Sequence, residues 1–440
     1  MAAASSLPTS AASQFEDSTY RTVTKRLLPL LFVCYILAYI DRVNVGFAKL
    51  QMQQDLGMSD SVYGVGAGIF FIGYFFFEVP ANILLQKLGA RRWLGSIMVL
   101  WGLVSASTMF VRTAGAFYLL RLLLGVVESG FFPGVILYLT FWYTRRHRAQ
   151  MVAMFMTAIP LSGVVGGAVS GWILKNMVTT GGLRGWQWLY LLEGLPSVVA
   201  GIAAMMFLED SPQKAKWLSE EQKKLLSDRL ATEEQSKARE GHNSHQLLDA
   251  FRNPAVWLLC VVYFGFVMGN YGLGFWLPQI ISETMTKDPF HIGLLSMIPW
   301  SIAAISMVLV GRHSDRTGER RWHIAIAGLV GASAFAVSAI PGITGVVGLA
   351  ALTVAAAGIN ATVATFWSLP TGFLSSTAAA AGIAWINSVG NLAGYVSPFL
   401  VGRIRDATHS MFYPLLLLAG CALVAAVIVP TIRARKKESA

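Results

Sequence analysis

The sequence predicts an all-α membrane protein with twelve transmembrane helices in two pseudo-symmetric six-helix bundles. Its 440 residues are 55% hydrophobic and 13% charged, with a mean hydropathy of +0.57. Soluble proteins carry about 25% charged residues. Twelve segments are close to the ~20 mainly apolar residues that a spanning helix needs. In addition, one short motif recurs at corresponding positions of the two halves.

The spans divide the chain into two bundles of six, at residues 27–208 and 254–432. In chain order the predicted spans are 27–47, 62–84, 93–111, 116–140, 149–174, 186–208, 254–281, 290–310, 322–340, 344–367, 379–402 and 410–432. The fourth, fifth, seventh and eleventh exceed the minimum length, which permits a tilt or a kink. Polar tails at 1–26 and 433–440 flank the bundles.

Residues 209–253 form the one long polar loop, with eight Lys or Arg and nine Asp or Glu. Its helical stretches predict a solvated amphipathic linker between the bundles. Residues 1–20 lack the pattern of a signal peptide, so we expect the first helix to be retained. Cys34, Cys260 and Cys421 lie singly in three spans without metal-ligand or redox spacing, which makes them apolar fillers.

The distribution of Lys and Arg predicts the orientation. Of the 34 basic residues, 25 fall in the segments on the side of both termini and seven, among them Lys49, in the segments on the other side. Because cytoplasmic loops carry the excess of positive charge, both termini are expected in the cytoplasm. The same bias explains the net charge of +11, so nucleic-acid binding is not needed to account for it.

A repeated loop motif relates the halves, and glycine spacing marks close helix packing. QKLGARRW follows the second span at 86–93, and GRHSDRTGERRW follows the eighth at 311–322. Their match at the same loop of each half indicates duplication of a six-helix unit. Glycines four residues apart predict close helix packing. They are Gly163, Gly167 and Gly171 on the fifth span and Gly390 and Gly394 on the eleventh.

Ionisable residues inside apolar stretches are confined to the first half. They are Asp41, Arg42, Glu78, Arg121 and Glu128, with Glu193 in the outer part of the sixth span. A charge at the centre of a membrane helix costs roughly 2.5–3.5 kcal/mol on insertion scales, and such residues are functional by default. The alternative is a buried ion-pair network that only locks helices together. We interpret Glu78 as a cap or gate element and Glu193 as structural.

The spacing of these residues predicts their partners. Arg121 and Glu128 are two helical turns apart, so each needs a partner from another helix, and Asp41 and Arg42 can supply one. Arg42 shares a stripe with Tyr35, Tyr39 and Gly46. We expect that stripe to face a cavity and Asp41 to turn toward a neighbouring helix.

Where the first half carries ionisable residues inside its spans, the second half carries neutral polar residues. Asn387 and Asn391 share a helix face, and they either contact substrate or form interhelical hydrogen bonds. Asn270, Tyr271 and Trp276 lie where glycines and Pro278 weaken the helix, and unwound backbone is tolerated where it lines a cavity. Trp276 is a candidate substrate contact, although aromatic residues also fill apolar cores.

Two bundles with polar groups on their seam suit alternating access. Buried arginines attract an anion, and a carboxylate released from an arginine is easier to protonate. The sequence therefore predicts a proton-coupled symporter for a small organic acid. An enzyme, a receptor or a scaffold is disfavoured, because no HExxH, phosphate loop or cysteine pair is present. A drug exporter shares the architecture but would favour acids that attract cations.

The two loop motifs resemble the signature of the major facilitator superfamily, although Gln86 stands where the family usually has Asp. DRVNVGFA, GYFFFEVPANILLQKLGARRW, RLLLGVVESGFFPG and GIAWINSVGNLAGYVSP are similar to the anion:cation symporter family, over roughly 27–430. The resemblance implies a conformational gating motif at Gly89, Arg91, Arg92, Asp315, Arg316, Gly318, Arg320 and Arg321.

The resemblance also implies roles for individual residues. Proton-linked carboxylates fall on Asp41 and Glu128. Substrate and gating positions fall on Tyr39, Arg42, Tyr74, Arg121 and one of Asn387 and Asn391. Import across a bacterial cytoplasmic membrane, driven by H⁺ with no cofactor or metal, is implied, and we expect a monomer. The substrate is expected to be tartrate or a sugar acid; an aromatic acid of the phthalate or hydroxyphenylacetate type is the alternative.

Overall fold

The computed structural model describes residues 9–239, 253–370 and 376–432. Within them the regular structure is helical, because in lipid a helix satisfies its own backbone hydrogen bonds. The helices of the first half and of the linker are α1 (Thr9–Val43), α2 (Val45–Asp55), α3 (Asp60–Leu88), α4 (Ala90–Ser107), α5 (Ala114–Glu128), α6 (Phe131–Thr140), α7 (Arg145–Met156), α8 (Ala158–Asn176), α9 (Gly185–Phe207) and α10 (Glu220–Arg239).

The helices of the second half are α11 (Pro254–Thr284), α12 (Pro289–Thr317), α13 (Arg321–Ala339), α14 (Gly345–Phe366), α15 (Ser376–Thr408) and α16 (Phe412–Ile428). Among the described residues, eleven candidate spans are long and apolar enough to cross a membrane. The remaining predicted span, 379–402, lies within α15, a helix of 33 residues that carries Asn387 and Asn391. The predicted all-α membrane architecture is confirmed.

Three spans are built from two helices each. The fourth divides at Ser129 and Gly130, and the fifth divides at Thr157. Pro133 and Pro160 explain these two breaks, because a proline ring clashes with the carbonyl four residues earlier. The first span divides at Asn44, where the sequence has no proline and Gly46 follows two residues later, although the Asn44 N–H still bonds the Ile40 carbonyl at 2.8 Å. The helix α1 also begins at Thr9, well before the predicted span at 27.

The two bundles meet along pairs of helices, of which α8 with α12 and α3 with α15 are prominent. Glycines permit the contact between α8 and α12. A Cβ atom on Gly167 would lie 2.9 Å from the carbonyl oxygen of Gly293, and one on Gly171 would lie 2.6 Å from that of Pro289. The predicted glycine stripe on the fifth span is therefore confirmed as a site of close packing, here between the two halves.

The linker helix α10 is attached to the first half. Arg229 of α10 donates to Glu16 on α1 at 2.5 Å. Glu233 of α10 lies 3.8 Å from Arg148 on α7. The helical stretch expected in the linker is confirmed for residues 220–239, and the linker residues 240–252 lie outside the described residues.

Candidate functional site

Asp41 is buried in the interior of the first bundle and faces α4 and α9. Its carboxylate accepts hydrogen bonds from the hydroxyls of Ser105 and Ser197, both at 2.7 Å, and from the indole N–H of Trp101 at 3.1 Å. The expectation that Asp41 turns toward neighbouring helices is confirmed. All three donors are neutral, and no salt bridge to Asp41 occurs among the described residues.

Arg42 points the other way and forms an ion pair with Glu128 of α5. Its Nε lies 3.1 Å from Glu128 Oε1, and Nη2 contacts the same oxygen. The other carboxylate oxygen, Oε2, has no hydrogen-bond partner among the described residues. The predicted pairing between the first and fourth spans is therefore confirmed for Arg42 and Glu128.

Aromatic rings and a hydroxyl surround the Arg42 guanidinium. The rings of Tyr39 and Tyr74 lie 4.7 and 5.5 Å from its Cζ, measured to their centroids. Tyr271 of the second half accepts from Nη1 at 3.4 Å. Such a cage stabilises a cation by cation–π attraction and leaves one contact that bridges the bundles.

Arg121 is bound by backbone rather than by carboxylates. It donates to the carbonyl oxygens of Gly66, Ala67 and Arg42 at 3.2–3.3 Å. No salt bridge to it occurs among the described residues, and its Nη1 has no hydrogen-bond partner there. Arg121 thus braces α1 and α3 against α5, while its Nη1 amino group has no partner among these residues.

A cavity lies between the two bundles. Its polar and aromatic lining residues include Tyr39, Asn44, Ser162 and Ser170 from the first half and Asn270, Tyr271, Ser296 and Trp300 from the second. Both amide atoms of Asn44, and Oδ1 of Asn270, are buried without a hydrogen-bond partner among the described residues. Since buried polar groups are normally paired, these amides are available to a ligand.

The structure places other predicted substrate residues outside this lining. Asn387 faces Glu78 of the first half at 3.5 Å, and Asn391 follows one turn later, partly buried. Trp276, expected to contact substrate, is 1% exposed and lies instead beneath Lys49, whose Nζ is 3.6 Å from the ring centroid. Cation–π packing therefore holds Trp276 away from the cavity in this conformation.

Sequence reasoning also missed Lys49. It was counted with the outer loops, but its side chain is fully buried, 2.8 Å from Asp60 Oδ1. Asp60 also accepts from Arg405 of α15 at 2.7 Å, and Arg405 contacts Glu283 of α11. Lys49 continues the stripe of Arg42 and Gly46 at helical spacing, and that spacing was the available signal.

We call Lys49, Asp60, Glu283, Arg405 and Asp406 the interbundle ion cluster. Asp406 accepts from the backbone N–H groups of Asp60 and Ser61 at 3.0 and 2.8 Å. Near the loop between α11 and α12, Lys175 of the first half donates to Asp288 of the second at 2.6 Å. These contacts fasten the two bundles together at one end of the molecule.

The repeated loop motif forms intra-half contacts at both copies. The backbone N–H of Arg91 donates to Asp210 at 3.1 Å, next to Gly89 with φ +82°. In the second copy Asp315 pairs with Arg320, and Gly318 ends α12 with φ +69°. Arg321 donates to the carbonyl of Ile432 at 3.0 Å. Arg92 and Arg316 are exposed.

Residues 31–398 match the family model described as the Major Facilitator Superfamily. The chain belongs to this superfamily. A protein of Agrobacterium vitis named "Putative tartrate transporter" is 46% identical over 416 residues, which cover 94% of this chain and 91% of that protein. A "Quinolone resistance transporter" of Acinetobacter baumannii is 42% identical over 397 residues, covering 90% and 91%.

The fold of the superfamily is also found by structural comparison. A bacterial homolog of the human lysosomal transporter Spinster, in an inward-facing and unoccupied conformation, superposes with a TM-score of 0.75. It is 15% identical and covers 93% of this chain and 98% of that one. This member of the superfamily is therefore a membrane transporter of small organic molecules and not an enzyme.

Proposed function

We propose that this transporter is a proton-coupled symporter that imports a small hydroxylated carboxylate, of which L-tartrate is the test case. The observation that carries the proposal is the Arg42–Glu128 ion pair at the edge of the cavity, where Tyr39 and Tyr271 contact Arg42 and also line the cavity. A substrate carboxylate entering there would compete with Glu128 for the guanidinium.

Competition for Arg42 supplies the coupling. A carboxylate that loses its cationic partner in a buried site is favoured in its protonated form. Binding of the anion to Arg42 therefore promotes proton uptake by Glu128, and protonation of Glu128 frees Arg42 for the anion. Asp41, buried among neutral donors, is the second proposed proton-linked carboxylate.

Hydroxyl recognition would use the unpaired amides of the cavity. Asn44 and Asn270 lie on opposite bundles with unpartnered polar atoms, and three serines share the lining. A hydroxy acid can satisfy amides of both bundles at once, which favours its enclosure between them. The name of the A. vitis relative supports a tartrate-like substrate. We place the protein in a bacterial cytoplasmic membrane with both termini inside, as a monomer driven by H⁺.

Two other substrate classes have specific support. Trp300, Tyr39 and Tyr271 line the cavity and would stack on an aromatic carboxylate. The A. baumannii relative is named for quinolone resistance, which supports export of an aromatic drug as a further candidate. The arginine at the cavity edge favours an anionic ligand in each case.

Proteoliposomes with an inward-directed proton gradient test the proposal. We expect radiolabelled L-tartrate to accumulate and a protonophore to abolish the accumulation. Phthalate, 4-hydroxyphenylacetate and a fluoroquinolone are the comparison compounds. Accumulation of L-tartrate that ignores the protonophore contradicts proton coupling, and selective uptake of phthalate would replace the hydroxy acid by an aromatic one.

A further inference from the structure

Glu193 of α9 is a buried carboxylate that the proposed coupling scheme does not use. It is 3% exposed and accepts one hydrogen bond, from the Ser170 hydroxyl at 2.6 Å. Its Oε2 atom has no hydrogen-bond partner among the described residues. A carboxylate that is removed from water and bonded to a single hydroxyl is strongly disfavoured as an anion.

The charges around Glu193 do not neutralise it. Asp41 faces it from α1, and Tyr190 lies one turn earlier on α9. From α4 come only the neutral donors Trp101 and Ser105, which bond Asp41. The guanidinium of Arg121 interacts with Tyr190 and is bound to backbone carbonyls.

The buried acidic and basic side chains of the first bundle also indicate that Glu193 lacks a neutralising cation. Asp41, Glu128 and Glu193 are three buried carboxylates, and Arg42, Arg121 and Lys49 are the buried cations, of which Lys49 is paired with Asp60. Arg42 is paired with Glu128. Neither Asp41 nor Glu193 forms a salt bridge among the described residues, and these two buried carboxylates repel each other, so they cannot both be ionised cheaply.

Two residues connect Glu193 to the cavity. Ser170 lines the cavity and donates to Glu193. Asn44 also lines the cavity, is 1% exposed, and lies close enough to Glu193 to interact with its carboxyl group, although neither amide atom makes a hydrogen bond of normal geometry among the described residues. A polar path of one residue thus separates Glu193 from the space that the substrate would occupy.

We propose that Glu193 is a proton-binding carboxylate of the transport cycle, which exchanges its proton with the central cavity through Asn44 and Ser170. The step adds one proton from cavity water to the Glu193 carboxylate and returns it to water when the cavity opens to the other side. This inference rests on the proposed proton coupling, because it adds a proton site to that cycle.

Infrared difference spectroscopy on the full-length protein in liposomes tests the inference without any substrate. A pH jump should reveal the carbonyl stretch of a buried carboxylic acid, with a downshift in D₂O. We expect Glu193→Gln to remove one component of that band. Glu283→Gln is the control, because Glu283 pairs with Arg405 in the interbundle ion cluster, and it should leave the component in place. A full band in Glu193→Gln would overturn the proposal.

A second variant keeps the test decisive if Glu193→Gln does not fold. Ser170→Ala removes the hydrogen bond to Glu193, so the same band component should shift in frequency. Ser162→Ala is the matched control: Ser162 lines the same cavity but donates to the carbonyl of Ile159. An unshifted band in Ser170→Ala contradicts the assignment to Glu193.

Transport separates this inference from the proposed function. Glu193→Gln should still exchange L-tartrate in counterflow but take up fewer protons per tartrate than the wild type. Protonophore-sensitive uptake in a protein that lacks the Glu193 band would overturn the Glu193 assignment alone. A Glu193 band in a protein whose uptake ignores the protonophore would overturn the proposed symport, and with it any role of Glu193 in coupling.

Discussion

At the residue scale, Arg42 and Glu128 form a pair that is stable only while nothing else binds the guanidinium. Each is buried, and separation of a buried ion pair without a replacement leaves an uncompensated charge. In the proposed symport, an incoming anion and an incoming proton are the two replacements. The same contacts that hold the pair in this conformation therefore define what must enter for it to open.

Glu128→Gln should separate exchange from accumulation. The amide can still contact Arg42 but cannot release a proton at neutral pH, so L-tartrate counterflow continues while gradient-driven uptake is lost. One coupled proton under a gradient of one pH unit supports about tenfold accumulation, and the variant should fall to equal concentrations. Glu221→Gln, on the exposed side of α10, is the control. Normal accumulation in Glu128→Gln would assign coupling to another group.

Arg121→Lys should destabilise the first bundle although the charge is kept. A guanidinium reaches the three carbonyls of Gly66, Ala67 and Arg42 in one plane, and an ammonium cannot match that fork. Loss of one hydrogen bond from a charged donor costs about 2 kcal/mol. Thermal unfolding in detergent measures the loss. An unchanged melting temperature would show that these backbone contacts contribute little.

The sequence predicted the pairing of the first span with the fourth, but neither the partners of Arg121 nor the burial of Lys49. Helical spacing placed Asp41 and Arg42 on different faces, and the structure confirms it. The backbone carbonyls that bind Arg121 could not be predicted from the sequence, because every residue has a backbone carbonyl. Lys49 was misplaced because a lysine at the end of a span is usually solvated, and the burial seen here depends on Asp60 and Trp276.

At the element scale, the helix pair α8 and α12 brings the bundles into contact through glycine. Gly167→Leu should prevent this contact, because a Cβ atom there would already lie 2.9 Å from the Gly293 carbonyl. We expect L-tartrate transport to be lost while the protein still folds. Gly420→Leu is the matched control on α16, since a Cβ at Gly420 meets nothing within 4 Å. Wild-type transport by Gly167→Leu would show that transport does not need the close contact of α8 and α12 at this position.

The interbundle ion cluster is the second contact of this kind. Asp60→Asn removes the carboxylate that Lys49 and Arg405 share, so the ends of α2 and α15 should separate. Spin labels at Gln54 and Thr408, in a background without the three native cysteines, would report a longer mean distance by double electron–electron resonance. Glu221→Gln should leave the distance unchanged. An identical distribution in Asp60→Asn would show that the cluster does not hold the ends together.

Acid should act on the neighbouring pair of Lys175 and Asp288 only at low pH. The hydrogen bond from Lys175 lowers the pKa of Asp288. The contact is therefore fully present above the ordinary aspartate pKa of about 3.9 and is lost as the pH falls through the lowered value. A spin-label distance between Asn176 and Lys287 should stay constant from about pH 8 to 5. An increase within that range would contradict the assignment.

At the scale of the whole molecule, two bundles and their common motif were predictable because hydropathy and the repeated motif are properties of the linear sequence. Prolines also marked two of the three divided spans, whereas the division at Asn44 carried no such signal. The cavity was less accessible to sequence reasoning. Its lining combines residues from both halves, among them Ser170 and Trp300, and their proximity depends on how the bundles meet in this conformation.

The attachment of α10 to the first half has a practical consequence. Glu16 and Arg148 hold this helix by ion pairs, so α10 should move together with the first half throughout the transport cycle. An antibody fragment raised against α10 would add a fiducial mass for electron cryomicroscopy without occupying the solute pathway. Because such exposed pairs are screened by electrolyte, particle images are best collected in low-ionic-strength buffer.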